Sequence, residues 1–82
     1  MPVVLRERGR RFFFFSNEGT PREPPHVHVE RDGKSAKFWL GNVACARTRG
    51  YTTIELRRIE RIIKSNRVSF LRKWNEYFNT GI

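Results

Sequence analysis

Residues 24–40 read PPHVHVERDGKSAKFWL, and the Asp32-Gly33 pair near their centre decides the fold. Both flanks are rich in strand formers, and a two-residue Asp-Gly loop favours the type I′ turn, whose twist matches that of two antiparallel strands. The loop sets the register. Arg31 should oppose Lys34, Glu30 oppose Ser35, Val29 oppose Ala36, His28 oppose Lys37, Val27 oppose Phe38 and His26 oppose Trp39. Strand side chains alternate with period two, so Val27, Val29, Ala36, Phe38 and Leu40 share one face, the core face. The other face carries His26, His28, Glu30, Ser35, Lys37 and Trp39, titratable and aromatic groups that core packing alone does not require.

Towards the amino terminus, residues 16–25 (SNEGTPREPP) are dense in turn formers and read as an exposed connection. Pro24-Pro25 restricts the approach to His26, either holding that ring in place or blunting a sheet edge. Before it, Val3 to Phe15 reads as a first hairpin about Arg8-Gly9, with Gly9 supplying the positive φ of the turn. In that hairpin Val3, Leu5, Phe12 and Phe14 form a core face, and Val4, Arg6, Arg11, Phe13 and Phe15 the other. The second face has three readings: a half-covered sheet with Arg stems lying over rings, a platform for stacked bases and paired phosphates, or a buried protein interface.

Towards the carboxy terminus, Val43 to Ala46 fits a short strand or a helical turn, and Arg47, Arg49 and Gly50 an exposed basic loop. Cys45, flanked by alanines, reads as a small buried hydrophobe. Thr52 and Glu55 have the spacing of a capping box, so a helix starts there. Leu56, Ile59, Ile63, Phe70, Leu71, Trp74 and Phe78 then recur at threes and fours, a stripe that faces the sheet, with Asn66 interrupting it. The expected fold is α+β: two antiparallel hairpins, about four strands, packed on a long C-terminal helix that is kinked or split near Asn66. Arg57, Arg61 and Lys64 share one side of that helix, as a solvated face or a phosphate-binding one. No glycine turn separates two helices in the manner of a helix-turn-helix.

The chain has 82 residues and a formal net charge of +9, from 17 Lys and Arg against 8 Asp and Glu. Residues 1–82 are expected to form a single domain with a modest core, since a domain this short buries roughly 60% of the surface that its unfolded chain exposes. The cations are spread along the chain, so no single tail accounts for the charge. Such an excess attracts polyanions: nucleic acid first, an acidic protein or an anionic membrane surface as alternatives. The lone Cys45 excludes an internal disulfide, and with no targeting or spanning segment in view the expectation is a cytoplasmic protein.

On the histidine face, His26, His28 and Glu30 alternate on one strand. Two imidazoles and a carboxylate are donors for a divalent transition metal, although the carboxylate lies about two pleats from the first ring and reaches such a metal poorly. The same face suits metal-independent cleavage of RNA: His26 and His28 would transfer protons while Lys37 and nearby Arg groups stabilise phosphorane charge. A polar sheet surface or a partner interface, with His28 beside Lys37 and His26 packed on Trp39, is the plain alternative. For nucleic-acid binding the candidates are Arg6, Arg11, Phe13, Phe15, Trp39, Arg57, Arg61 and Lys64. No cofactor is implied.

The segments VVLRERGRRFFFFSNEG, EPPHVHVER, AKFWL, RGYTTIELRRIERIIKSNR and WNEYF occur in that order, and together they resemble the bacterial DUF4160 family along almost the whole chain. The resemblance implies a small stand-alone protein whose gene often lies beside that of a DUF2442-type protein, an arrangement similar to a toxin–antitoxin or autoregulatory pair. It therefore implies a small protein partner. It carries no established role onto His26 or His28. The expected function is that of a basic component of such a two-gene module, binding a protein partner and nucleic acid, with a ribonuclease toxin or a protein-only adaptor as alternatives.

Overall fold

In the computed structural model, which describes residues 2–15 and 23–78, Asp32 and Gly33 take φ of 50° and 79°. These left-handed values are the ones that a type I′ turn requires. The turn joins β3 (His26–Arg31) to β4 (Lys34–Trp39). All six expected pairs are present, from Arg31 with Lys34 to His26 with Trp39. Leu40 N–H then donates to Pro25 C=O at 2.9 Å, so the proline pair is tied to the end of β4 and delivers His26 to the sheet. The connection expected over residues 16–25 lies outside the described residues as far as residue 22.

The first hairpin turns at Arg8 and Gly9, with φ of 52° and 80°. It joins β1 (Val3–Glu7) to β2 (Arg10–Phe13). Its register differs from expectation at one point. Leu5 pairs with Phe12 but Val3 with Phe13, so Val4 is an extra residue in a bulge. A bulge exchanges the faces of the residues beyond it. Val4 therefore packs on the core while Val3 is exposed, the reverse of a regular ladder. The displaced Val4 carbonyl accepts from Lys73 Nζ at 3.2 Å.

A fifth strand, β5 (Ala44–Arg49), completes one antiparallel sheet in the order β1-β2-β3-β4-β5. The stretch expected to be a short strand or turn followed by a basic loop is thus a continuous edge strand, bulged where Lys37 pairs with Arg47 and Phe38 with Cys45. Among the described residues the sheet has five strands, where about four were expected. Because β5 lies at the edge, Cys45 is exposed, not a buried hydrophobe. Partial burial of the Cys45 sulfur pushes its thiol up, so the thiolate is disfavoured, and the S–H donates to the Arg47 carbonyl.

Two helices cover the core face. The capping box is complete: Thr52 N–H donates to Glu55 Oε1 at 2.9 Å and Glu55 N–H to Thr52 Oγ1 at 3.1 Å. This starts α1 (Thr53–Ser65), and α2 (Arg67–Phe78) follows after Asn66. Asn66 ends the first helix by donating Nδ2 to Ile62 C=O at 2.8 Å, and its own carbonyl accepts from Phe70 N–H. Arg67 donates Nε to Leu40 C=O at 2.7 Å and a terminal nitrogen to Gly41 C=O at 3.0 Å, pinning the start of α2 to the end of β4. Ile59, Ile63, Phe70 and Trp74 are buried against Phe12, Phe14, Val27, Val29, Phe38 and Leu40, with Leu56, Leu71 and Phe78 packed at the margin. The helical stripe faces the sheet as expected. No helix of the described residues is long and apolar enough to cross a membrane.

Candidate nucleic-acid interface

The sheet face turned away from the helices carries two rows of side chains that run across all five strands. In the first, Arg6 pairs with Arg11, Arg11 with Glu30, Glu30 with Ser35 and Ser35 with Arg49. In the second, Val3 pairs with Phe13, Phe13 with His28, His28 with Lys37 and Lys37 with Arg47. Residues opposed in an antiparallel ladder point to the same side, so pairing alone gathers Arg6, Arg11, Lys37, Arg47 and Arg49 on one face. Two depressions mark the surface, of about 570 and 280 Å³. They share Glu30, Ser35 and Arg49 in their walls and so form one continuous basic tract.

The charges on this face are unequally compensated. Arg11 makes a 2.6 Å ion pair with Glu30, and its guanidinium lies 5.1 Å from the centre of the Phe13 ring. Lys37 Nζ is 2.9 Å from Glu23 Oε1 and 4.6 Å from the Trp39 ring centre. Arg6, Arg47 and Arg49 are exposed and have no ion pair among the described residues. These three are placed to meet an external anion at little desolvation cost.

Several residues expected at the site are placed elsewhere. His26 is completely buried, its Nδ1–H donates to Pro24 C=O at 2.9 Å, and its ring lies 5.6 Å from Trp39 and 5.0 Å from Trp74. It is a packing residue at the sheet end, out of reach of a substrate. His28 is nearly buried, stacked on Phe13 at 5.6 Å with Phe15 edge-on at 4.4 Å, and lines the smaller depression. Phe13 is fully buried beneath these groups and cannot stack a base, whereas Phe15 is 36% exposed and can. Trp39 is half-buried under Lys37. The His26 and His28 rings meet edge to face at 5.2 Å, but no group of three His, Cys, Asp or Glu among the described residues is arranged to hold a metal.

Arg57, Arg61 and Lys64 are exposed on α1, in the helical layer, and so do not join the sheet face. Lys64 is paired with Glu60 at 2.8 Å. Conversely Arg47 and Arg49, which the structure brings into the tract, were not among the expected binding residues. The signal was the alternation Arg-Thr-Arg, the period of a strand with one cationic face.

The fold and face together define a small α+β domain with helices on one side of a meander sheet and a basic field on the other. The chain belongs to the family described as a domain of unknown function, DUF4160, which matches residues 9–75. The match runs from the first turn to α2 and takes in every residue of the two rows except Val3 and Arg6. No curated protein and no solved structure matches the chain.

Proposed function

We propose that this protein binds nucleic acid through the phosphate backbone, using the open face of its sheet. The observation that carries the reading is the pair of cross-strand rows, which collect five cations on one face and leave Arg6, Arg47 and Arg49 uncompensated among the described residues. Phosphate contacts of this kind supply affinity without reading sequence, and the accessible Phe15 ring beside the tract favours an unpaired strand whose bases can stack. Burial of His26 and the pairing of Lys37 with Glu23 favour binding over cleavage. The resemblance described above extends the proposal: the protein acts in the cytoplasm as the basic member of a bacterial two-gene, toxin–antitoxin-like or autoregulatory module, alongside a small DUF2442-type partner.

The test is binding of fluorescent single-stranded RNA and duplex DNA to the full chain and to Arg47→Gln/Arg49→Gln. Salt-dependent binding that the substitution weakens is the expected result. If the chain binds neither nucleic acid, the basic face serves a protein partner and the reading fails. RNA cleavage lost in His28→Ala would replace it with the nuclease alternative.

A further inference from the structure

A second basic concavity lies on the other side of the molecule, between the first hairpin and α1. It is a groove of about 480 Å³ with Leu5 and Ile62 as apolar lining and Arg8, Arg10, Arg58 and Arg61 around them. One carboxylate lines it, that of Glu7, and both of its oxygens are already taken: Oε2 lies 3.4 Å from Arg8 Nε and Oε1 3.1 Å from Arg10. Arg10 is the unusual member. It points to the helix side of the sheet and is only 5% exposed, and its Nε–H has no acceptor among the described residues. A guanidinium stripped of water in this way is costly to bury, and an oxyanion beside the edge that it turns to the groove offsets that cost.

From this we infer that the groove is a docking site for a partner protein segment that presents a carboxylate beside an apolar side chain. The carboxylate lies against Arg10 and the exposed Arg58 and Arg61, and the apolar group covers Leu5 and Ile62. Charge selects an acidic ligand, and the apolar lining selects a peptide over a polynucleotide, whose phosphates would gain nothing from it. The site is separate from the sheet-face tract. Arg47 and Arg49 lie beyond the opposite end of the strand order, so nucleic acid and a partner can be held together.

The experiment is an NMR titration of the full-length protein with an amphipathic peptide of sequence Leu-Glu-Glu-Leu-Leu-Glu-Glu-Leu. Saturable shifts are expected at the Leu5 and Ile62 amides and at the Asn66 side-chain amide. Affinity is expected to fall at least tenfold in Arg58→Ala/Arg61→Ala, two exposed positions whose loss spares the core, and to be unchanged in Arg47→Gln/Arg49→Gln. Arg10→Met, which keeps the apolar stem, should weaken binding similarly, and Arg10→Lys should recover part of it. A peptide with Ser in place of Leu should bind at least tenfold more weakly. Equal affinity for that peptide would reduce the effect to bulk charge and overturn the inference. So would shifts confined to the sheet face, no saturable shift, or displacement of the peptide from the groove by a single-stranded oligonucleotide. Because the two double variants act on opposite faces, failure here leaves the nucleic-acid reading to stand or fall on its own test.

Discussion

Replacing Arg47 and Arg49 by Gln removes two of the three sheet-face cations that no described carboxylate neutralises. Each phosphate neutralised on a single strand contributes about −0.7 to the slope of log affinity against log salt. With Arg6, Arg47 and Arg49 engaged, the slope is about −2.1, and between about 50 and 200 mM salt the affinity falls about 18-fold. That fall corresponds to about 1.7 kcal/mol. The double variant retains one such contact, so its slope is about −0.7 and the same salt change costs it only about 2.6-fold. If binding also detached Arg11 from Glu30 and Lys37 from Glu23, five contacts would give a slope of about −3.5, so the number separates the two arrangements. Fluorescence anisotropy with a short unstructured RNA across a salt series reads all of this directly. A wild-type slope near zero, or the same slope in both proteins, would refute the assignment of phosphate contacts to these rows.

Further outcomes concern the framework. Gly33→Ala, at φ +79° with nothing near the added methyl, should cost about 1 kcal/mol, the usual penalty for a left-handed non-glycine residue. Gly50→Ala, at φ +91° and with Lys34 Cγ 3.0 Å from the new Cβ, should cost about 2–3 kcal/mol, and equal denaturation midpoints for the two variants would discount the Lys34 contact. The Glu55 carboxyl is held below its ordinary range by the Thr52 backbone N–H first and by Lys34 next. Its contribution to stability is therefore complete above the unfolded-state pKa and is lost as pH falls through the lower folded value. Thermal melts from pH 6 down to pH 3 should show a steeper decline in the wild type than in Glu55→Gln. His26→Ala, which empties a fully buried site, should lower stability by about 2–4 kcal/mol in urea while leaving the salt slope of RNA binding unchanged below the melting temperature.

Local chemistry was legible wherever a turn or cap acts over a few residues. Asp32-Gly33 takes the positive-φ turn that its residue types favour, Gly9 supplies the same preference in the first hairpin, and the six pairs between β3 and β4 follow from the Asp32-Gly33 turn. Thr52 and Glu55 make the reciprocal cap that their spacing announces. Asn66 breaks the helix where it interrupts the apolar stripe. The misreadings share a different cause. The Val4 bulge depends on Phe14 N–H reaching Pro2 C=O and on Lys73 Nζ donating to the displaced Val4 carbonyl, contacts between distant parts of the chain. The exposure of Cys45 depends on β5 lying at the sheet edge, which short-range pattern does not reveal.

The candidate site divides in the same way. Its cations on β1 to β4 could be placed on one face from strand period alone, because register follows from turn geometry and side chains alternate. Whether a given group on that face meets solvent was another matter. Phe13 is fully buried beneath Phe15 and His28, and His26 is fully buried against Trp39 and the helical Trp74. Arg10, which the alternation places among core residues, is retained there by Glu7 and lines the groove beside α1. By itself the sequence determined the turns, the second hairpin's register, the helix start and the excess of positive charge, all consequences of backbone preference and composition within a few residues. Only the tertiary structure decided which of those charges face water, because burial depends on elements that are far apart in the chain and meet on folding.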